Sequence, residues 1–176
     1  MMKAGASAGL LRSGGENMIF NRVLRAIALA LWLVLPAAAM AGGTVVNVPD
    51  DDAEMNAAVA SARASLPSFF DQMAKPKPGE ESFALKVRIT DAGKAEHFWL
   101  VDISRQGDKL IGRINNDPEV VGNVVSGQNY EFSEADITDW MFMRNGRIVG
   151  NATMRPLLKR MPPEEAETYR NLLETP

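Results

Sequence analysis

The stretch SFALKVRIT, residues 82–90, alternates the large apolar side chains of Phe83, Leu85, Val87 and Ile89 with Ala84, Lys86, Arg88 and Thr90. Successive side chains of an extended strand point to opposite faces, so this pattern predicts a strand with one buried face. The turn DAGK returns the chain into EHFWLVDI, residues 96–103, where apolar residues occupy both parities: Phe98 and Leu100 on one face, Trp99, Val101 and Ile103 on the other. A strand apolar on both faces belongs in a sheet interior, covered on each side. Two such neighbours commit the chain to a sheet.

The remaining segments are read by how they complete it. RQGD turns the chain into KLIGRIN (109–115), a third strand with Gly112 inside, where glycine marks a bulge or a sharp bend. NNDPEVVGNVVSG predicts a break and then a short helix, with Asp117 as cap, Pro118 at the first helical position and Glu119 complementing the N-terminal dipole. QNYEF is a short strand, and SEADI a single helical turn with Ser133 and Asp136 in capping-box positions. DWMFMRNGRIVGNA predicts a hairpin turning at Asn145-Gly146, a pair that tolerates the positive φ of a type I′ turn.

Ahead of the sheet, Met55, Val59, Ala62, Leu66, Phe69 and Met73 form an apolar stripe at helical spacing, with Asp51 and Glu54 as a capping-box start. Pro67 lacks the N–H that would bond back to Arg63, so this helix is expected to kink or restart there. KPKPGEES (75–82) is an extended polar linker. A terminal helix follows Pro162-Pro163 and turns Ala166, Tyr169, Leu172 and Leu173 inward. The order predicts an α+β fold: a bent antiparallel sheet or small half-barrel packed against an N-terminal helix, with a C-terminal helix.

Residues 1–41 are expected to be a signal peptide cleaved after Ala41. Arg22 and Arg25 precede the apolar run AIALALWLVLPAAA (26–39), and Ala39-Met40-Ala41 supplies small residues for cleavage. The run falls short of the roughly 20 residues that span a bilayer, which favours cleavage over a retained anchor. A start at Met18 gives a signal of ordinary length, whereas residues 1–17 show no hydrophobic period. Residues 42–50 then form a tail and 51–176 a single domain, periplasmic or secreted, with no stable membrane anchor after cleavage. The chain has no cysteine, hence no disulfide, lipid-anchor thiol or thiolate chemistry, and the domain must be held by its core. From Gly42 onward 15 basic side chains face 21 acidic ones, a net charge of −6 that speaks against a nucleic-acid partner.

No G-x-S-x-G elbow, phosphate loop, dinucleotide fingerprint, H-E-x-x-H or Cys/His cluster occurs in the chain, and neither cofactor nor metal is expected. A Ser-His-Asp triad would have to use His97, the one histidine. Strand parity puts His97 with Trp99 and Glu96 with Phe98, so the two cannot form an acid/base pair on one face. A framework role for His97 is therefore favoured. By the same alternation Trp140 and Phe142 share one face, Asp139 and Met141 the other; Trp140 serves as core or as the aromatic floor of a groove. Arg113, Asn115, Asn116 and Asp117 gather before an expected helix start, where backbone N–H groups can hold an anion, although turn chemistry also explains them. Acidic Glu131, Glu134, Asp136 and Asp139 precede basic Arg144, Arg147, Arg155, Lys159 and Arg160, an asymmetry that could steer a charged partner or be a solvated face.

The segments ASLPSFFDQM, FALKVRI, EHFWLVDI, LIGRINNDPEVV and GQNYEFSEADITDWMFMRNGRIVGNATMRPLL, in this order, resemble the YegJ-like family of bacterial proteins, a domain of unknown function (DUF2314). The resemblance runs from about Asp51 to Leu158, and its most recognisable pieces are Glu96-His97-x-Trp99, Gly112 with Asn116 and Pro118, Gly127, and Asp139-Trp140-Met141. It implies a compact domain, also found attached to other modules, and carries over no catalytic residue. The expected function is an exported, non-catalytic module binding an envelope protein or a ligand through His97, Trp99, Arg113, Asn116, Asp139 and Trp140. Two alternatives stand beside it: an envelope hydrolase with His97, Glu96 or Asp139 as general base, and an inhibitor or immunity-type protein.

Overall fold

A computed structural model describes residues 52–175. The expected signal peptide, the start at Met18 and the tail 42–50 lie outside the described residues.

Helix α1 (Ala53–Ala64) stops before Pro67, and α2 (Leu66–Ala74) restarts with that proline in its first turn, as the missing N–H requires. The cap is Asp52 rather than Asp51: its carboxylate accepts the Met55 N–H at 2.8 Å. Six strands follow, β1 (Glu80–Asp91), β2 (Lys94–Gln106), β3 (Lys109–Ile114), β4 (Asn129–Phe132), β5 (Ile137–Arg144) and β6 (Arg147–Gly150). They form one open antiparallel sheet in the order β4-β3-β2-β1-β5-β6. Helices α3 (Met154–Leu158) and α4 (Pro163–Leu172) close the chain. The fold is α+β, with the sheet open rather than closed towards a half-barrel.

One face of the sheet carries the core. Leu85, Val87 and Ile89 of β1, Phe98 and Leu100 of β2, Leu110 and Ile114 of β3, and Ile137 and Phe142 of β5 pack with Leu66 and Phe69 of α2. Arg63 of α1 ties this layer to the chain entering β5 by donating to the carbonyls of Ile137 at 2.7 Å and Ala135 at 2.9 Å. A smaller cluster of Leu158, Ala166 and Leu173 lies against Ile148 of β6. Beside it the Glu174 N–H bonds to the Ile148 carbonyl and covers that edge of the sheet.

The predicted strands and turns stand, with changes that trace to β-bulges. At Asp102 (φ +55) the β2–β3 register shifts, so Ile103 leaves the Trp99 face and packs with the core beside Leu100. An extra residue in one strand reverses the alternation beyond it. Gly112 on β3 faces this bulge; a Cβ there would lie 2.7 Å from Ile103 Cδ1 and 3.0 Å from Leu100 Cβ. The bulge is thus in the partner strand, and the glycine makes room for it. At Ser82 (φ +57) another shift lets β1 begin at Glu80, inside the segment expected to be a linker. Strand β2 lies inside the sheet as expected, but its second face is only half covered, since Trp99 and Val101 stay partly exposed. The turn at Glu134–Asp136 has its capping box, and Asn145-Gly146 adopts positive φ at both positions.

The helix expected after Asn116 is absent. Residues 115–128 form an irregular loop that sends Val121 and Val124 into the core. The short α3 was not foreseen, because its five residues contain Pro156 and are too few for a helical period.

Glu80 is the buried polar anchor of the entry to β1. Burial acts to raise its pKa, but the Lys77 N–H at 2.8 Å, the Arg144 guanidinium at 3.0 Å and the Gln72 amide outweigh burial and hold it below the usual glutamate value. A carboxylate with a depressed folded pKa stabilises the fold above its unfolded pKa and loses that contribution as pH falls through the folded one. Urea denaturation between pH 6 and 2.5 is therefore expected to show wild-type stability falling more steeply below about pH 4.3, the ordinary glutamate value, than that of Glu80→Gln. Equal slopes would remove Glu80 from the acid response. Gly112→Val should cost about 1–3 kcal/mol by overpacking against Leu100 and Ile103, read from the same urea curves at neutral pH.

Candidate functional site

The face of the sheet opposite the core holds a row of three side chains set by strand register: Trp99 of β2 opposite Lys86 of β1, and Lys86 opposite Asp139 of β5. The Lys86 ammonium lies 5.4 Å from the centroid of the Trp99 ring, a cation–π arrangement. Burial lowers the pKa of Lys86, and the Asp139 charge partly restores it. Thr153 joins the two residues. Lys86 Nζ donates to Thr153 Oγ1 at 3.1 Å, and Thr153 Oγ1 donates to Asp139 Oδ2 at 2.6 Å. Those directions are forced, because an ammonium only donates and a carboxylate only accepts.

Asp139 is fully buried. Oδ1 accepts the N–H groups of Trp140 at 2.8 Å and Ala152 at 3.1 Å, while Oδ2 also accepts the Thr153 N–H at 2.8 Å. A carboxylate so engaged fixes the turn after β6, where Gly150 (φ +84) passes so close to Trp140 that a Cβ would lie 2.5 Å from the Trp140 carbonyl oxygen. Such a group is built to hold backbone in place.

The other singled-out residues are spread over both faces. Trp140 lies on the core side, as its parity with Phe142 predicts; its ring sits 5.4 Å from Phe69, and its N–H reaches the Ala62 carbonyl and Ser65 Oγ. Asn116 uses its side-chain oxygen to accept the Trp99 N–H at 2.9 Å, which pins the end of β3 to β2. Arg113 stands opposite Val101 on the Trp99 side and pairs with Asp102 at 2.8 Å. His97 is exposed on that side with Arg88 opposite it. The sheet thus brings His97, Trp99, Arg113 and Asp139 to one face, places Trp140 on the other and leaves Asn116 at a strand end. Lys86 and Thr153 complete the row without a sequence signal of their own. Lys86 reads as an ordinary outward residue of an alternating strand, and Thr153 is brought in by a turn with no sequence period.

Glu96 points away from His97, as parity requires. Its carboxylate accepts the consecutive N–H groups of Glu119, Val120 and Val121 at 2.9 to 3.2 Å, and Asp91 accepts that of Gly122 at 2.9 Å. The helix N-terminus expected to hold an anion beside Asn116 does not form, and the N–H groups of residues 119–121 are filled by the protein's own carboxylate. Consecutive N–H groups converging on one carboxylate form the concave nest that suits an anion. Among the described residues no three His, Asp or Glu side chains come together as a metal-binding group. A shallow depression of about 250 Å³ between α1 and α3 is lined by Glu54, Ala57, Arg155, Pro156 and Lys159.

Comparison with known proteins gives a family and relatives. The profile of a family described as "Uncharacterized protein conserved in bacteria (DUF2314)" matches residues 52–173. The Uncharacterized protein YegJ of Escherichia coli (strain K12) is 40% identical over 127 residues, which is 72% of this chain and 82% of that protein. A putative ankyrin repeat protein of Neisseria meningitidis serogroup B is 36% identical over 75 residues, 43% of this chain but 30% of that protein. No solved structure gives a significant match.

Asp139→Ala strands the Thr153 and Ala152 N–H groups and is expected to cost about 3 kcal/mol. Lys86→Met should cost less than Asp139→Ala, because the Asp139 carboxylate keeps the N–H and hydroxyl donors of residues 140, 152 and 153 when the ammonium is removed. Chemical denaturation of the two variants checks the order; equal losses would make the ammonium, not the turn, what Asp139 serves. Glu96→Gln is expected to speed hydrogen exchange selectively at the amides of residues 119–121.

Proposed function

The chain belongs to the DUF2314 family, whose description assigns it no activity, and from that premise we propose that it is an exported, non-catalytic module that holds a cell-envelope protein against the open face of its sheet. The observation that carries this reading is the character of that face. Trp99 and Val101 are half-buried and Arg88 and His97 exposed on adjacent strands in register, while Glu96 and Asp139, the carboxylates available for acid–base chemistry, are engaged by backbone N–H groups. Partly exposed aromatics beside a guanidinium are the composition enriched at protein interfaces. Export rests on Arg22 and Arg25, the apolar run 26–39 and the Ala39-Met40-Ala41 cleavage residues. The related segment of the putative ankyrin repeat protein makes up under a third of that chain. A domain placed within a larger protein suits a binding unit.

Two measurements test the proposal. Fractionation with intact-mass analysis is expected to find a periplasmic or secreted product beginning at Gly42; an uncleaved cytosolic chain overturns export. A photo-crosslinking residue at Val101 should capture the same envelope protein reproducibly, whereas one at Asp71 on α2 should not. Capture should fall at least tenfold in Trp99→Ala checked to be folded. Equal labelling from both positions, or capture indifferent to Trp99, overturns the open face as the binding surface.

A further inference from the structure

We infer that Lys86 is a positioning residue for the open face: its ammonium holds the Trp99 ring in the setting that a partner meets, without touching that partner. The inference rests on the open-face reading just given. The Trp99 backbone is fixed on both sides, since its N–H donates to Asn116 Oδ1 at 2.9 Å and its carbonyl accepts the Asn115 N–H at 2.9 Å. What these bonds leave undetermined is the pair of side-chain torsions that aim the ring. Trp140 shows the contrast: its ring is locked by Phe69 at 5.4 Å and Phe142 at 6.1 Å, and its N–H is bonded to Ala62 and Ser65. Trp99 enters none of the ring–ring contacts among the described residues. The Lys86 ammonium, 5.4 Å from its centroid, is the directed contact that the ring does have.

Asp139 is satisfied without the ammonium. Its oxygens accept the N–H groups of Trp140, Ala152 and Thr153 and the Thr153 hydroxyl, and none of these donors belongs to Lys86. Burial works against a charge at Lys86, and Asp139 offsets that only in part. The contact left for the charge to serve is the ring. Thr153 Oγ1 accepts from Lys86 Nζ at 3.1 Å and is itself held to Asp139 at 2.6 Å, so the place of the ammonium is set by a fully buried carboxylate. A cation over an indole attracts the ring through its quadrupole and selects one of its settings. An aromatic ordered in advance spares a complex the cost of ordering it, which is how a side chain that no partner reaches can strengthen binding.

The test uses the full chain as cells produce it, as wild type, Lys86→Met, Lys86→Arg and, for comparison, Lys109→Met, whose lysine on β3 pairs with Glu131. Urea denaturation first establishes that each variant is folded. NMR couplings and NOEs then read the two Trp99 torsions, and the photo-crosslinking residue at Val101 reads capture of the envelope protein. Wild type, Lys86→Arg and Lys109→Met are expected to hold a single Trp99 rotamer. Lys86→Met should average over several and capture about two- to tenfold less, the range for one side chain left to be ordered on binding. A single Trp99 rotamer in Lys86→Met, capture unchanged once the ring is released, or Lys86→Arg behaving as Lys86→Met each overturns the inference while the open-face reading stands. Absence of Trp99-dependent capture by the wild type overturns the open-face reading, and the positioning role falls with it whatever the rotamer does.

Discussion

Strand β1 is shared by both halves of the sheet, and the rest of the molecule depends on that double pairing. It pairs with β2 from Leu85 to Asp91 and with β5 from Glu80 to Val87. A strand bonded on both edges presents every second side chain to each face, so the alternation of Leu85, Val87 and Ile89 with Lys86 and Arg88 sorts apolar from charged groups for the whole domain. Helix α2 follows the apolar side: Phe69 packs against Phe83 and Trp140, which belong to β1 and β5. The other side presents the polar parity of the same strand.

Asp139, fully buried on that other side, holds the turn after β6. An isolated buried carboxylate would be expensive, and this one is made tolerable by backbone and hydroxyl donors gathered from residues 140, 152 and 153. The effect is positional. By holding the chain after β6, the carboxylate sets Thr153 beside Lys86 and leads the backbone into α3. The charged row on the sheet and the small C-terminal cluster are coupled through one side chain.

Much of this order was legible in the residues. Two-residue alternation located β1, an apolar run on both parities between two turns located β2, the Asn145-Gly146 pair located the last hairpin, and the lost N–H of Pro67 located the break between α1 and α2. What escaped was decided by interactions between distant segments. The bulge at Asp102 moves Ile103 across the sheet, and no periodicity within β2 announces it, since the compensating glycine is on β3. The Asp117-Pro118-Glu119 stretch has good helix-start chemistry, yet its following N–H groups are satisfied by Glu96 and Asp91 from the β1–β2 hairpin, and tertiary partners override local preference. Alternation constrains side chains one strand at a time. Parity separated Glu96 from His97 and Trp140 from Asp139, but the meeting of Lys86 with Thr153 required the fold.

The carboxylate of Glu96 gives the loop that holds it a particular status. Because donor and acceptor belong to one chain, the acceptor is presented at an effective concentration on the order of millimolar or above for a short connection. Any dissolved anion must displace this resident before it can use the N–H groups of residues 119–121, so the nest is saturated from within at ordinary solute levels. What would otherwise be a receptor for phosphate or carboxylate acts as a clasp between the β1–β2 hairpin and the loop after β3.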